Sequence, residues 1–423
     1  MECIDLLSTI TGIKPQSKLR GITPSALRDC STYKFQFTSF LKFESHNKFL
    51  CILKGIEVII HIMNDEYYMK LAIALAKKGR GYVSPNPLVG AVIVKHGQII
   101  SRGYHHRFGG NHAEINALKN AAEDVAGSTL YVTLEPCCHE GKTPPCINSI
   151  IKHKIARVVI GAIDSNPLVS CRGINHMQSC GIEVKTGVLE PECRKLNEIF
   201  FHYMETGMPF VTIKYAQTLD GRIATATGES QWISSDASLK FTHQLRAAHD
   251  AILVGAGTVI KDDPELTVRL VRGHNPLRVI VDSELKISRQ AKIFQKISEA
   301  PTLIATIKTS DDPQYRNLAG LGAEIVTIDA DEKGNVDLKK LFKILAGRNV
   351  SSILIEGGAQ IITSVLKNNL ANRLVTIVAP KIIGSGIEAV GDLNIRSLKA
   401  AKRLSIQKVS RRGDDIIIDS RLN

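Results

Sequence analysis

Apolar and polar positions along the chain form blocks that predict strands and helices in turn. A helix with both ends marked begins at the capping residue Asn64, continues through apolar positions spaced three or four apart, and ends at the basic pair and glycine of 77–79. From position 89 onward, short runs rich in Val and Ile alternate with segments of helical periodicity. Such alternation is typical of an α/β layer fold.

The alternation falls into two series of elements. A polar, acid-rich segment over 190–205 leads to Met208-Pro209, where we place a domain boundary. The first series has predicted strands at 89–94, 99–100, 129–134 and 157–163, a turn at His96-Gly97, a helix over 112–122 and a helix after Pro145. The second has predicted strands at 210–215, 251–254, 278–281, 302–305, 324–328, 352–355 and 374–378, then a hairpin of 404–409 and 415–419.

The first 62 residues show no sustained hydrophobic period. We interpret them as a poorly ordered extension, or as the result of a start assigned too early, with Met63 as the true first residue. The expected organisation is therefore an extension over 1–62, one domain over 63–208 and a second over 209–423.

Composition narrows the class of protein. A chain of 423 residues, 44% hydrophobic and 22% charged, can form two or three globular domains, which excludes disordered and fibrous classes. The net charge of +13 favours anionic partners without choosing among them. Nine cysteines cannot all pair, which favours metal or catalytic thiols in the cytoplasm. The apolar stretch 49–63 is interrupted by charges and is too short to span a membrane, and we expect no secretory signal.

The first chemical constellation predicts a hydrolytic zinc site. His112-Ala-Glu114 opens a helix, and two cysteines follow in Thr133-Leu-Glu-Pro-Cys-Cys-His-Glu-Gly-Lys-Thr-Pro-Pro-Cys146. His112, Cys137 and Cys146 supply three ligands, and a catalytic zinc leaves its fourth position to water. Glu114 is close enough to transfer a proton to a substrate nitrogen, and the helix start at Cys146 is expected to favour its thiolate. The alternative is a structural zinc with Cys138 or His139 as fourth ligand.

These residues resemble the riboflavin-biosynthesis deaminase/reductase family known as RibD or RibG. Eight residues separate Cys137 from Cys146, longer than the usual Pro-Cys-x-x-Cys deaminase spacing and similar to the riboflavin branch. Further matches are Ser84-Pro-Asn-Pro-Leu-Val-Gly90, Gly103-Tyr-His105, Lys142 and Asp164-Ser-Asn-Pro167. One departure is Leu168-Val-Ser-Cys171-Arg-Gly173, where members often have a glycine-rich stretch.

The resemblance implies a deaminase pocket for a pyrimidine ribotide. Its expected lining is Asn86, His105, Lys142, Asp164 and Asn166. An Asn can pair with a pyrimidinone edge, Asp164 and Asn166 with sugar hydroxyls, and His105 and Lys142 can offset phosphate charge. Taken without the resemblance, Asn86 would be a turn residue and Lys142 a solvated loop charge.

The second constellation resembles the reductase half of the same family. Its motifs are Lys214-Tyr-Ala-Gln-Thr-Leu-Asp220-Gly-Arg, Gly228-Glu-Ser-Gln-Trp232-Ile, Leu245-Arg-Ala, Val254-Gly-Ala-Gly-Thr258, Asp262-Asp-Pro-Glu-Leu-Thr-Val-Arg269 and Ile355-Glu-Gly-Gly358. The Rossmann fingerprint is absent, because Ile260 replaces its third glycine. The simpler alternative places Trp232 in the core, Arg246 on an exposed helix face and Asp262 in a turn cap.

By resemblance, two sets of residues serve the reduction. NADPH is expected to contact Ala216, Trp232, Thr258, Asp262, Gly357 and Gly358, and the ribosylamino phosphate to contact Ser230, Arg246, Leu266, Arg269 and Glu356. Lys214 or Asp220 could assist the reduction, and the sequence does not choose between them. The implied fold is a cytidine-deaminase-like α/β/α layer domain followed by a dihydrofolate-reductase-like α/β domain.

The resulting expectation is a bifunctional enzyme of riboflavin biosynthesis. Zinc-dependent deamination of 2,5-diamino-6-ribosylamino-4(3H)-pyrimidinone 5′-phosphate precedes NADPH-dependent reduction of the ribosyl chain to ribityl. We expect a cytoplasmic homo-oligomer that acts on a small phosphorylated pyrimidine, with no nucleic-acid or membrane partner. Two alternatives stay open: an RNA or nucleoside zinc deaminase with an accessory C-terminal domain, and a non-enzymatic protein stapled by zinc.

Overall fold

The computed structural model describes residues 41–45, 48–53, 56–61, 64–140, 144–166, 169 and 171–422. Chain contacts divide it into two compact units, one holding the described residues up to Lys78 with 89–105 and 111–193, and the other holding 79–88, 106–110 and the described residues from Arg194 onward. Residues 194–208 thus group with the second unit, whereas the domain boundary at Met208-Pro209 stays a prediction. Among the described residues, no helix is long and apolar enough to cross a membrane.

The chain before Asn64 contains three strands that the sequence analysis did not predict. They are β1 (Leu41–Ser45), β2 (Lys48–Leu53) and β3 (Ile56–His61), paired antiparallel in that order. The run is rich in Ile, Val and Phe, which favour extended backbone over helix. The rest of the expectation for residues 1–62 lies outside the described residues.

A five-stranded mixed sheet forms the centre of the first unit. Its strands are β4 (Gly90–Lys95), β5 (Gln98–Tyr104), β6 (Thr129–Leu134), β7 (Arg157–Ala162) and β8 (Glu183–Lys185), in the order β5-β4-β6-β7-β8. Strands β6, β7 and β8 are parallel, whereas β4 is antiparallel to both neighbours. The predicted turn at His96-Gly97 joins β4 to β5, and both residues have positive φ, as a tight hairpin turn requires.

Helices pack on this sheet. They are α1 (Asp65–Ala76), α2 (Ala113–Lys119), α3 (Cys146–Lys152), α4 (Arg172–Ser179) and α5 (Glu190–Leu196), of which α1 continues as a 3₁₀ turn over Lys77–Gly79. The predicted cap is present, since the Asn64 side chain accepts from the Tyr67 N–H. Helix α2 ends at Lys119, three residues before the predicted end.

A nine-stranded sheet forms the centre of the second unit. Its strands are β9 (Phe210–Thr218), β11 (Ala251–Gly255), β12 (Leu277–Val281), β13 (Thr302–Thr306), β14 (Glu324–Thr327), β15 (Ser352–Glu356), β16 (Arg373–Ala379), β18 (Leu404–Arg412) and β19 (Asp415–Leu422). The order is β14-β13-β12-β11-β15-β9-β16-β19-β18, parallel except where β19 pairs with β16 and β18. A separate ribbon pairs β10 (Arg222–Thr225) with β17 (Gly386–Glu388).

Both faces of the large sheet are covered, which explains its continuous apolar strands. Neighbouring residues of β11 belong to different clusters: Leu253 packs with Leu341 and Ile362, and Ile252 packs with Ile293 and Leu318. The helices are α6 (Glu198–Thr206), α7 (Asp236–Ala247), α8 (Ala256–Asp262), α9 (Lys292–Gln295), α10 (Pro313–Ala319), α11 (Leu338–Gly347) and α12 (Ala359–Lys367), with a 3₁₀ turn at Leu398–Ala400. Because helices cover both faces, a ligand site is expected at the ends of the strands. In open α/β sheets it forms at the carboxyl ends of the parallel strands.

Candidate active sites

Three side chains of the first unit converge into a candidate metal centre. His112 Nδ1 lies 3.4 Å from Cys137 Sγ and 3.3 Å from Cys146 Sγ, and all three ligand atoms lie within 4.8 Å of one another. Around a tetrahedral zinc, a bound nitrogen and sulfur are separated by about 3.5 Å, given the usual zinc–ligand distances. The three residues therefore fit zinc in both donor chemistry and spacing.

Local structure explains why these residues meet. His112 occupies the cap position of α2, Cys137 lies in the loop after β6, and Cys146 is the first residue of α3. The backbone N–H of Cys146 donates to Cys137 Sγ at 3.3 Å. The start of α3 therefore supports the thiolate of Cys137, whereas the sequence analysis expected it to support that of Cys146. The hydrogen bond between the two cysteine side chains is the main cause that lowers the pKa of Cys137 and raises the pKa of Cys146.

Glu114 lies beside this cluster in the first turn of α2. It is 3% exposed, and its Oε2 makes no hydrogen bond to any residue in the described part of the chain. Burial raises the pKa of Glu114 to about 7. A buried carboxylate oxygen without a protein partner is costly unless a ligand uses it, so this atom is suited to accept a proton from a bound molecule.

Three of the residues expected in the deaminase pocket lie near the cluster. The His105 ring stacks edge to face on the His112 ring at 5.3 Å between centroids, and its Nδ1 lies 2.9 Å from the Asn111 carbonyl oxygen. Asp164 and Asn166 follow β7, which is parallel to β6, so they emerge at the same sheet edge as Cys137. Asp164 Oδ1 accepts from the Asn166 N–H at 2.8 Å, and burial raises the pKa of Asp164 to about 6.

The other predicted residues of this half have different outcomes. Asn86 lies in the segment 79–88, which groups with the second unit, and Lys142 lies outside the described residues. Cys138 Sγ lies 3.9 Å from the Val169 carbonyl, and neither Cys138 nor His139 joins the metal cluster. The structure therefore gives no support to the four-ligand alternative within its described part.

Glu135 is a residue that the sequence analysis missed. Its carboxylate is 4% exposed and accepts backbone N–H groups from Cys171 at 3.1 Å and Asp164 at 3.4 Å. It thereby connects the cysteine loop to the Asp164 segment. Cys171 has φ of 59° and lies in the stretch 168–173, which is often glycine-rich in members of the resembled family. A left-handed conformation at a non-glycine residue costs about 1–2 kcal/mol, a cost that glycine at this position would not carry.

The reductase residues line one cavity of about 1850 Å³ in the second unit. It lies at the carboxyl ends of the parallel strands, the usual ligand position in open α/β sheets. All eleven predicted residues line it: Ala216, Ser230, Trp232, Arg246, Thr258, Asp262, Leu266, Arg269, Glu356, Gly357 and Gly358.

The exposures of two residues contradict the simpler alternative for this half. Trp232 is 63% exposed at the cavity, whereas Arg246 is 8% exposed. A core tryptophan and a solvated arginine would show the opposite pattern. Both residues therefore need a ligand, or a partner, to explain where they lie.

Arg246 has that partner in Glu356. Its Nε and Nη2 donate to the two carboxylate oxygens at 2.6 and 2.8 Å, and its Nη1 donates to the Thr267 carbonyl at 3.0 Å. Burial opposes ionisation of Glu356, but the charge and hydrogen bonds of Arg246 outweigh it and lower the pKa of Glu356. The guanidinium of Arg246 is thus already engaged by a carboxylate. Arg269, whose side chain is 43% exposed, is better placed to bind a phosphate.

The turn at Gly357-Gly358 requires glycine at both positions. The two residues have φ of 87° and 79°, and a Cβ on Gly358 would approach Thr258 Oγ1 to 3.3 Å. The backbone can therefore come close to a ligand at this strand end.

The structure separates the two residues that the sequence left as alternatives for assisting the reduction. Lys214 lines the cavity, and burial lowers its pKa. Asp220 does not line it; its carboxylate accepts the backbone N–H groups of Ile383 and Gly384 and the Thr218 hydroxyl. Asp220 is an anchor for that loop.

Comparisons with known proteins agree with both sites. Residues 62–162 match the cytidine and deoxycytidylate deaminase zinc-binding region, and residues 209–418 match the RibD C-terminal domain. The riboflavin biosynthesis protein RibD of Aquifex aeolicus is 46% identical over 355 residues, covering 84% of this chain and 97% of that protein. That of Escherichia coli is 37% identical over 370 residues, covering 84% and 99%.

Solved structures give the same result. A diaminohydroxyphosphoribosylaminopyrimidine deaminase/5-amino-6-(5-phosphoribosylamino)uracil reductase of Thermotoga maritima is 38% identical with a TM-score of 0.76, covering 85% of this chain and 99% of that chain. RibD of Acinetobacter baumannii is 35% identical with a TM-score of 0.77 and the same coverage.

Fold and site together define a zinc-dependent deaminase unit joined to an NADPH-dependent reductase unit. The chain belongs to the RibD family, the bifunctional deaminase/reductases of riboflavin biosynthesis. The cytidine-deaminase-like and reductase folds expected from the sequence are confirmed, as are the cofactors Zn²⁺ and NADPH.

Proposed function

We propose that the chain deaminates 2,5-diamino-6-ribosylamino-4(3H)-pyrimidinone 5′-phosphate to 5-amino-6-(5-phosphoribosylamino)uracil and then reduces the ribosyl chain to ribityl. The carrying observation is the cluster of His112, Cys137 and Cys146 with the buried Glu114 oxygen beside it. The reductase cavity supports the second step, because it collects every residue expected to contact NADPH and the reductase substrate.

In the deamination, His112, Cys137 and Cys146 would hold the zinc ion. When bound, zinc lowers the pKa of water and so supplies a nucleophile near neutral pH. Glu114 accepts a proton at its buried carboxylate and delivers it to the departing amino group, which leaves as ammonia. Asp164 and Asn166, at the adjacent strand end, bind sugar hydroxyls, and His105 lies beside His112. For Asn86 and Lys142, a role in substrate binding stays a prediction from the resemblance.

In the reduction, the second unit binds and orients two ligands in one cavity. NADPH supplies the hydride when bound. Ala216, Trp232, Thr258, Asp262 and the Gly357-Gly358 turn hold the cofactor, and Ser230, Arg246, Leu266, Arg269 and Glu356 hold the substrate. Lys214, the cation on β9 inside the cavity, can polarise the substrate carbonyl or imine.

The direct test follows both steps separately in the purified full chain. With the diaminopyrimidinone ribotide, we expect ammonia release without NADPH, and NADPH oxidation only after ammonia has been released. Ammonia alone would leave a deaminase with an inactive reductase half. If neither ammonia release nor NADPH oxidation is observed, the RNA deaminase and the zinc-stapled binding protein become the leading alternatives. Salt-dependent RNA binding would then favour the RNA deaminase.

Zinc content tests the proposed three-ligand site. We expect about one zinc per chain, retained in Cys138→Ser, because a catalytic site keeps its fourth position open. The matched change Cys146→Ser removes a ligand and should lose the metal after dialysis against a weak chelator. Mass spectrometry of native and denatured protein reads the stoichiometry. Loss of zinc from Cys138→Ser would indicate a fourth protein ligand.

Three broader features belong to the same proposal. We place the enzyme in the cytoplasm, expect a homo-oligomer, and expect no nucleic-acid partner, with a small phosphorylated pyrimidine as the anionic ligand that the +13 charge attracts. Light scattering on the eluting protein measures the oligomeric state.

A further inference from the structure

His243 is a buried histidine on the wall of the reductase cavity. It lies on α7 three residues before Arg246, so both side chains project from the same helix face. Its exposure is 0%, and it lines the cavity together with Lys214, Arg246 and Glu356. No motif of the sequence analysis includes it.

A backbone contact determines where the ring carries its proton. The Arg269 N–H donates to His243 Nδ1 at 2.9 Å. Because an amide N–H can only donate, Nδ1 must present its lone pair, and the neutral ring then has its proton on Nε2. Burial, followed by the charges of Arg246 and Arg269, lowers the pKa of His243 to about 4, so the ring is neutral near pH 7.

The Nε2–H donor has no hydrogen-bond partner in the described part of the protein, and the atom is buried. Leaving such a donor unpaired is unfavourable, so buried donors usually mark a missing ligand or water. His249, six residues further along the chain, shows the ordinary arrangement. Its Nδ1 lies 2.7 Å from the Leu245 carbonyl oxygen and its Nε2 lies 2.9 Å from Thr212 Oγ1.

The position of His243 selects which ligand can use this donor. Its neighbours Arg246, Arg269 and Glu356 belong to the set expected to contact the reductase substrate, not NADPH. Arg246 already donates to Glu356 and to the Thr267 carbonyl, and Arg269 donates to Glu265. The Nε2–H of His243 is thus an unengaged neutral donor on the substrate side.

We propose that His243 is a substrate-binding residue, whose Nε2–H donates a hydrogen bond to an oxygen of the phosphorylated ribosylamino substrate. The bond orients the ribosyl carbon toward the cofactor, while the Arg269 N–H, which donates to Nδ1 on the other side of the ring, holds the imidazole in place. This inference rests on the proposed reductase function. It adds a specificity contact, because a ligand without an acceptor at this point leaves the donor unpaired.

Two substitutions separate the functions of the two ring nitrogens. In His243→Asn, the side-chain oxygen can still accept the Arg269 N–H, but the amide is too short to reach the cavity. In His243→Gln, the longer amide can place an N–H near the position of Nε2. We expect the KM for the aminouracil ribotide to rise about tenfold in His243→Asn and to stay within about threefold of wild type in His243→Gln.

The matched control is His249→Asn, which alters a buried histidine outside the cavity lining. It should lower thermal stability and leave the KM unchanged. With the dephosphorylated substrate, the His243→Asn effect disappears if the acceptor is a phosphate oxygen and persists if it is a ribose or ring oxygen. Either result supports a substrate contact.

Failure of this inference can be told from failure of the proposed function. If wild-type protein does not oxidise NADPH with the ribotide, the proposed reductase function fails. If it does, and folded His243→Asn keeps the wild-type KM, the His243 contact is overturned. Should His243→Asn not fold, the ¹⁵N-histidine spectrum of wild-type protein decides, with the resonance assigned from His243→Gln. An Nε2–H signal that saturating substrate leaves unshifted would also overturn it.

Discussion

Glu114→Gln should reduce ammonia release by about 10²- to 10⁴-fold while leaving zinc bound and NADPH oxidation intact. The amide keeps the size of the side chain but cannot accept a proton at the buried Oε2 position. Because Glu114 is not in the metal cluster, the zinc content should stay at about one per chain. The measurement pairs an ammonia assay with NADPH oxidation, using pre-deaminated substrate for the latter.

The matched control for this variant is Glu123→Gln, the same change at an exposed position past the end of α2. It should leave both activities within about twofold, as surface changes usually do. Retained ammonia release in Glu114→Gln would remove Glu114 from the chemistry. Loss of zinc would instead make it a support for the metal centre.

The zinc-site residues could be predicted because their chemistry depends on side-chain type and short spacing. Local rules also predicted the helix capped by Asn64, and helix α3 begins at Cys146 directly after Pro145, as expected. Which of the two thiolates the start of α3 stabilises could not be predicted. The N–H of Cys146 reaches the sulfur of Cys137 only because the folded chain brings the two cysteines together.

Parts of the reductase half were beyond sequence reasoning for a similar reason. Lys214 and Asp220 stand six positions apart on one motif, yet only the first lines the cavity, because the strand ends between them. The burial of Arg246 depends on Glu356, a residue 110 positions later in the chain. One signal for His243 was available: its spacing of three from Arg246 places it on the same helix face. That its Nε2 has no partner could not be predicted, because the surroundings of a buried ring nitrogen are determined only by the folded chain.

Arg246→Ala should abolish NADPH oxidation, by at least about 100-fold, and destabilise the second unit by about 3–5 kcal/mol. The pair with Glu356 is only 10% and 9% exposed in its side chains, so the substitution leaves a buried carboxylate without its cation. Thermal unfolding measures the loss of stability, and ammonia release, from the other unit, should be retained as an internal control.

The pH dependence distinguishes charge from packing. In wild-type protein the lowered pKa of Glu356 stabilises the fold above the unfolded pKa of 4.5, and that stability is lost as the pH falls. In Arg246→Ala burial acts without its main opposing charge, so the pKa of Glu356 rises and the carboxyl is protonated at mildly acidic pH. The difference in free energy of unfolding between wild type and variant should therefore become smaller as the pH falls from about 8 to about 5.

The matched control is Arg396→Ala, which removes a bidentate ion pair with Asp392. The two hydrogen bonds of this pair are 2.8 and 2.7 Å long, similar to those of the buried pair, but its side chains are 71% and 59% exposed. Because both charges stay solvated, it should have little effect on stability or reduction. Adding Glu356→Gln to Arg246→Ala removes the uncompensated charge and should recover part of the stability without restoring activity. Equal losses in the two arginine variants, or a deficit that does not change with pH, would contradict the role assigned to the buried pair.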